Sequence, residues 1–412
     1  MPRLTLVVAA LTMVALAAVV IRGQEDRTAT KAKRIHQEAI VFDTHIDTTD
    51  RLQGGWKFED RHPAPSSHAP DASSVDLPRM REGGLDAAFF SVFVPGTITG
   101  GKAVSLARAE FDKLRILVDT HPKDLALCLT AADVRRAHAD GKIGVLIGVE
   151  GGHMINESLD VLQDYARLGA RYLTLTHTVN VTWADSSSEP PKVNGLSDFG
   201  KQVVRELNRL GMMVDVSHIS DKAFWDVLEV SQAPVIASHS ACRALCGHPR
   251  NLTDEMIKAL AAHDGVIQIN FMAGYIDEAL YQEQKKREPQ LDTLRAELER
   301  QYPGPENAEK RWREVRAAYE KMGPAPKVSW ERIVDHIDHA VKLAGSDHVG
   351  LGSDFDGATM PEGMDECSQL PKITAELLRR GYKESDVKKI LGGNTLRVME
   401  QAEKVGRKLS SR

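Results

Sequence analysis

The sequence is poor in cysteine: Cys128, Cys242, Cys246 and Cys367 are the only four in 412 residues. So few and so scattered, they exclude a disulfide-built scaffold and a structural zinc knot, leaving room for one or two disulfides. An excess of positive charge is missing too. With 53 Lys and Arg against 58 Asp and Glu the formal charge is −5, and the basic residues form no stripe, so no nucleic-acid partner is indicated. No G-x-G-x-x-G follows the first strand-like run, which argues against a doubly wound dinucleotide-binding sheet. The basic, polar residues 404–412 carry no hydrophobic tail, which speaks against a glycolipid anchor. A content of 42% hydrophobic and 27% charged residues excludes disorder, collagen and coiled coil. The length allows one large domain or two to three ordinary ones, and a small-molecule enzyme fits this profile.

Only one apolar run is long. Residues 4–21 are uncharged and rich in Leu, Val and Ala, with Arg3 before them and Arg22 and a polar stretch after. Residues 1–23 therefore read as a signal peptide or an N-terminal membrane anchor. Ala15-Leu16-Ala17 fits a small-x-small cleavage site, yet apolar residues continue to Ile21, and no cysteine follows that could take a lipid. The expected location is outside the cytoplasm: periplasmic, extracellular or membrane-anchored, with the N-terminal segment as any tether.

Beyond residue 35, short β-branched runs alternate with stretches of helical period. The strand candidates are residues 41–47, 87–94, 143–150, 172–177, 213–218, 235–239, 266–271 and 348–354, with amphipathic stretches such as 158–168, 198–210 and 222–230 between them. Eight βα units predict an α/β fold of the (β/α)8 TIM-barrel type. Residues 277–327, dense in Lys, Arg, Glu and Gln, predict a solvated helical insertion.

The polar residues at the strand ends point to chemistry. His45 and Asp47 close the first run in Asp43-Thr44-His45-Ile46-Asp47, and side chains two apart on a strand share a face. Glu150 closes the third, His177 the fourth, His218 the fifth, His239 the sixth and Asp354 the eighth. Any one of these could simply cap a strand, but six in one register, at the face where barrels build active sites, indicate a metal centre. Imidazoles with carboxylates and no thiolate suit Zn2+ or a similar first-row ion, with zinc the default. The donors exceed what one open catalytic zinc needs, which predicts two ions sharing a carboxylate and a hydroxide.

The strings D-T-H-I-D, V-D-L-P-R-M-R-E-G-G, G-V-E-G-G-H, Y-L-T-L-T-H, D-V-S-H, S-H-S, R-N-L, G-S-D-F-D-G and L-G-G-N together resemble the membrane dipeptidase (renal dipeptidase) family of zinc peptidases, in that family's order, over about residues 35–400. The resemblance implies a metal-dependent amidohydrolase barrel spanning residues 35–405 and holding two Zn2+ per chain. It assigns His45 and Asp47 to one ion, His218 and His239 to the other, and Glu150 to both. His177 and Arg250 would meet the substrate, His177 also donating to the developing oxyanion, and Asp354 would move protons. Arg243 rivals Arg250 by position, and Asp356 points with Asp354 by strand alternation. In animal relatives a cysteine in the loop of Cys246 forms a disulfide. His153, three past Glu150, either touches the site or caps the following helix, and the resemblance favours the site; His62, His68, His121, His138, His248, His263, His336, His339 and His348 read as surface or capping residues.

The expected activity is hydrolysis of dipeptides by a metal-bridging hydroxide, in a homodimer. The alternatives are another amidohydrolase activity, such as N-acyl-amino-acid deacylation, and a non-catalytic barrel receptor. The receptor would be marked by a lost ligand, and none is lost here.

Overall fold

A computed structural model describes residues 29–67, 69–304 and 307–411. The expected signal or anchor segment, residues 1–23, lies outside the described residues. Nine strands, all paired in parallel, make up the sheet: β1 Phe42–Ile46, β2 Ala87–Phe93, β3 Leu125–Leu127, β4 Ile143–Glu150, β5 Ala170–Thr174, β6 Met213–Asp215, β7 Ile236–Ser240, β8 Val266–Ile269 and β9 Val349–Leu351. The order β2-β1-β9-β8-β7-β6-β5-β4 closes through β2–β4 pairing into an eight-stranded barrel. All eight predicted runs supply these strands. The ninth, β3, stands outside the ring, pairing with residues 143–145 of β4 before β5 takes over from Ile147. Three residues of Leu-Ala-Leu are too short to show a strand period.

Apolar side chains from several strands meet inside the barrel: Phe42, Phe89, Leu146, Tyr172, Met213, Ile236 and Val266 form one buried cluster. The opposite faces, with Ile46, Phe90, Val145, Leu173, Val214 and Ile267, join the larger core under the helices. Helices follow the predicted stretches closely. Leu159–Leu168, Asp198–Leu210 and Asp221–Val230 start after Ser158, Ser197 and Ser220, whose hydroxyls each accept a backbone N–H of the first turn, an N-cap.

Two irregularities aim the side chains at the ends of β1 and β7. Between Asp43 and Ile46, β1 spends three residues where β2 spends two. Between Ala237 and Ser240, β7 gains one residue on β8 in the same way. Simple alternation from interior Phe42 or Ile236 would send His45 or His239 to the outer face. An added residue resets the phase, and such bulges recur beside active sites.

The predicted insertion is a pair of helices, Glu278–Gln301 and Ala308–Lys321. Its one deeply buried cation, Arg287, donates to the carbonyls of Tyr319, Gly323 and Pro324 and lies 4.6 Å from the Tyr319 ring centre. All four cysteines are free and buried, so the disulfide left open for Cys246 is absent within the chain. One expectation fails. His336 is not a surface residue but fully buried, its Nδ1 accepting from Cys242 N at 3.0 Å and its Nε2 facing the Ile276 carbonyl at 3.1 Å.

Burial depresses the His336 pKa to about 4, below its unfolded value near 6.5. Its contribution is therefore complete above pH 6.5 and lost as pH falls toward 4, by about 3 kcal/mol. Urea unfolding at stepped pH should show that loss, and His336→Gln should flatten it.

Candidate metal centre

At the C-terminal mouth of the barrel, the Glu150 carboxylate ends β4 with histidines on both sides of it. Its Oε1 lies 3.1 Å from His218 Nε2, 3.2 Å from His239 Nε2 and 3.9 Å from His177 Nε2. Its Oε2 lies 3.5 Å from His45 Nε2, which is 3.6 Å from Asp47 Oδ1. The two oxygens of one carboxylate thus address two different donor groups. His45 and His239 stack with ring centres 3.8 Å apart.

Asp47 sits one residue past β1, and three other residues expected to close strands sit farther beyond the hydrogen-bonded pairing. His177 is three residues past β5, His218 three past β6 and Asp354 three past β9. His218 and Asp354 have φ of 68° and 67°, left-handed values that end an extended strand. Alternation therefore does not relate Asp354 to Asp356, which also has φ of 68°. Asp356 points away and accepts hydrogen bonds from the Thr48 hydroxyl (2.7 Å), the Ser73 hydroxyl (2.8 Å) and Ser74 N (2.7 Å). It pins loops together, whereas Asp354 joins His45 and Asp47 in a potential ion-binding group.

The donor set fits metal ions. Donor atoms about 2.1 Å from one zinc lie about 3.4 Å apart in a tetrahedron, close to the separations around both oxygens of Glu150. His45 Nε2 is buried and has no hydrogen-bond partner. His45–Glu150–His239, Glu150–His177–His218 and His45–Asp47–Asp354 each bring donor atoms within 4.8 Å of one another.

Electrostatics agree with that use. Burial, reinforced by the Arg250 charge, holds His218 well below the usual imidazole pKa; burial does the same for His239, with His45 and Arg250 adding to it, so both rings are neutral and their nitrogens available. Burial disfavours the Glu150 anion, but the surrounding histidines outweigh it and keep its pKa well below the carboxylate range. For His45 the balance also goes against burial, and Tyr172, Glu150 and Asp47 raise it. Burial, with repulsion from Asp47, pushes Asp354 up to about 7.

Arg250 is 3% exposed. Its NH1 donates to the Ser240 hydroxyl at 2.8 Å and its NH2 to the His239 carbonyl at 2.7 Å, while Nε has no partner. The rival Arg243 is occupied by both oxygens of Asp221, at 2.6 and 2.7 Å.

The family model described as membrane dipeptidase, peptidase family M19, matches residues 29–412. The chain belongs to the membrane dipeptidase family. It is a metallo-dipeptidase, and the barrel mouth holds groups of side chains able to bind a metal ion. Among this family member's relatives, Dipeptidase verJ of Clonostachys rogersoniana is 32% identical, over 93% of this chain and 89% of that protein. The solved structure of the probable dipeptidase PvdM from Pseudomonas aeruginosa superposes with a TM-score of 0.78 at 30% identity, covering 92% of this chain and 99% of that one. A metallopeptidase from Rhodobacter sphaeroides, solved with a phosphinate mimic of the dipeptide L-Ala-D-Ala, gives 0.70 at 27% identity, covering 88% and 99%.

The sequence reading passed over Asn270, which donates to Asp354 Oδ2 at 3.0 Å. It stands one residue beyond β8, in the register of the other site residues, but an amide neither titrates nor suggests a metal ligand. Gly357 was also missed. A Cβ there would lie 1.8 Å from Asp47 Oδ2 and 2.8 Å from Asp354 Oδ1. Gly357→Ala should displace these carboxylates and lower metal occupancy and kcat at least about tenfold; metal analysis beside steady-state kinetics checks it.

Proposed function

We propose that this family member, residues 35–405, cleaves dipeptides with two zinc ions bridged by Glu150, His45 and Asp47 serving one ion and His218 and His239 the other. The observation that carries the two-ion reading is the division of the Glu150 oxygens between two donor groups. Bound there, the ions would acidify a water and polarise the scissile carbonyl.

The chain's own groups do the rest. Asp354, with Oδ2 engaged by Asn270 and a pKa near neutrality, takes a proton at Oδ1 and passes it to the leaving amine. His177, whose side chain at 22% exposure is the most open of the four site histidines, faces Glu150 through Nε2 and is placed to donate to oxygen charge at the carbonyl. Arg250 has NH groups engaged by Ser240 and the His239 carbonyl but no carboxylate in ion-pair contact among the described residues. A buried cation without an anion seeks one, and the substrate's terminal carboxylate is that anion. The family resemblance supports a homodimer, and the apolar residues 4–21 support export with cleavage or a membrane tether. No helix among the described residues is long and apolar enough to cross a membrane.

Asp354→Asn should retain zinc and lose about 10²–10⁴-fold in kcat. Asp356→Asn should instead cost about 1–3 kcal/mol of stability, having lost part of a buried acceptor set, with kcat affected less. Zinc content, kcat and thermal melts of the two variants check the ranking.

Length selection follows from Arg250. A free dipeptide should be cut well and its C-terminal amide poorly, because the amide leaves the buried guanidinium unpaired at a cost of about 2–5 kcal/mol. Arg250→Ala should weaken cleavage of the free dipeptide and narrow that preference. The deacylase alternative is tested at the other end: kcat/KM for a dipeptide should exceed that for its N-acetyl form, and faster turnover of the acetylated substrate would favour deacylation.

A further inference from the structure

Two of the proposed zinc ligands have hydroxyl groups behind their rings, and each hydroxyl is committed on its far side to a group that only accepts. Ser238 Oγ lies 2.8 Å from His239 Nδ1 and 2.6 Å from Asp215 Oδ2. Asp215 also accepts from the Thr174 hydroxyl, Ser217 N and Ser238 N, and with so many donors converging on it, it gives no hydrogen back. The Ser238 hydrogen goes to Asp215, leaving the Ser238 lone pairs to accept Nδ1–H from His239. Tyr172 repeats the arrangement: its hydroxyl is 2.8 Å from His45 Nδ1 and 3.2 Å from the Thr44 carbonyl. A carbonyl cannot donate, so with the phenol hydrogen given to Thr44 O the phenol oxygen is left to accept Nδ1–H from His45. Gly148, the register partner of Tyr172 on the neighbouring strand β4, makes room for the ring, since a Cβ there would lie 2.0 Å from it.

We infer that Ser238 and Tyr172 are positioning residues that hold His239 and His45 in the Nδ1–H tautomer, so that Nε2 of each ring presents a bare lone pair to the metal centre. The inference rests on the two-zinc reading, in which each ion receives one ring held in this way. His218 supplies the contrast: its Nδ1 is buried with no partner. Outer groups that fix a ligand's tautomer typically change metal affinity 10–100-fold.

The test uses full-length zinc-loaded protein and its cobalt-substituted form. Competition with a chromogenic chelator should show one of the two zinc equivalents bound about 10–100-fold more weakly in Ser238→Ala, and the other in Tyr172→Phe. In the cobalt form, where the Nδ1–H of each ligand imidazole gives a shifted, exchangeable proton resonance, each variant should move or lose the resonance of its own histidine alone. Ser238→Thr, which keeps a hydroxyl, should restore both readings. Unchanged affinities, or both histidine resonances changing in each variant as in general loosening, would overturn the inference. If Ser238→Ala does not fold, Tyr172→Phe with Ser238→Thr carries the same comparison. A wild-type protein that binds no zinc would contradict the metal reading itself, a different failure from wild type and variants binding alike.

Discussion

A carboxylate buried at the centre of the barrel mouth is costly unless cations or hydrogen-bonding groups face it, and the site is arranged around that requirement at Glu150. His218 and His239 approach one oxygen and His45 the other. The bulges in β1 and β7 turn His45 and His239 inward, the left-handed turn at His218 brings a third ring from beyond β6, and a bare glycine at 357 lets Asp47 and Asp354 come close. Each device sets backbone geometry so that a donor reaches one small volume.

Arg250 acts on both sides of that volume. Its charge helps keep His218 and His239 neutral, so that their nitrogens carry no competing proton, and its guanidinium, with no carboxylate in ion-pair contact among the described residues, is the group proposed to take the substrate's carboxylate. In the proposed function the same residue, by pairing with that carboxylate, would also measure substrate length. Asp354 stands opposite, raised toward neutrality by burial and by Asp47, where a proton can be held and released under ordinary conditions.

Much of this was legible in the sequence because strand and helix periods are local. Eight runs of β-branched residues marked the eight barrel strands, and the polar residues closing them marked the mouth. The reading overran at residues 172–177, 213–218 and 348–354, because ligands just past a strand look like its last residues until a positive φ at His218 or Asp354 shows the chain turning. Asp354 and Asp356 could not be separated by alternation once the strand had ended at Leu351. His336 read as a surface residue because its partners, Cys242 N and the Ile276 carbonyl, are backbone groups from distant segments. Tyr172, Asp215 and Ser238 open the Y-L-T-L-T-H, D-V-S-H and S-H-S strings, but the strings do not record which side chain each of them touches, and the Tyr172–His45 and Ser238–Asp215 contacts join different strands.

The central claim is that one carboxylate serves two metal ions, and zinc titration of wild-type protein and Glu150→Gln, followed by direct metal analysis, tests it most directly. The account predicts about two equivalents in the wild type and a loss of affinity at both positions in the variant, since an amide cannot supply two anionic oxygens. A wild type that saturates at one equivalent, or a variant that keeps one of two ions at unchanged affinity, would contradict it.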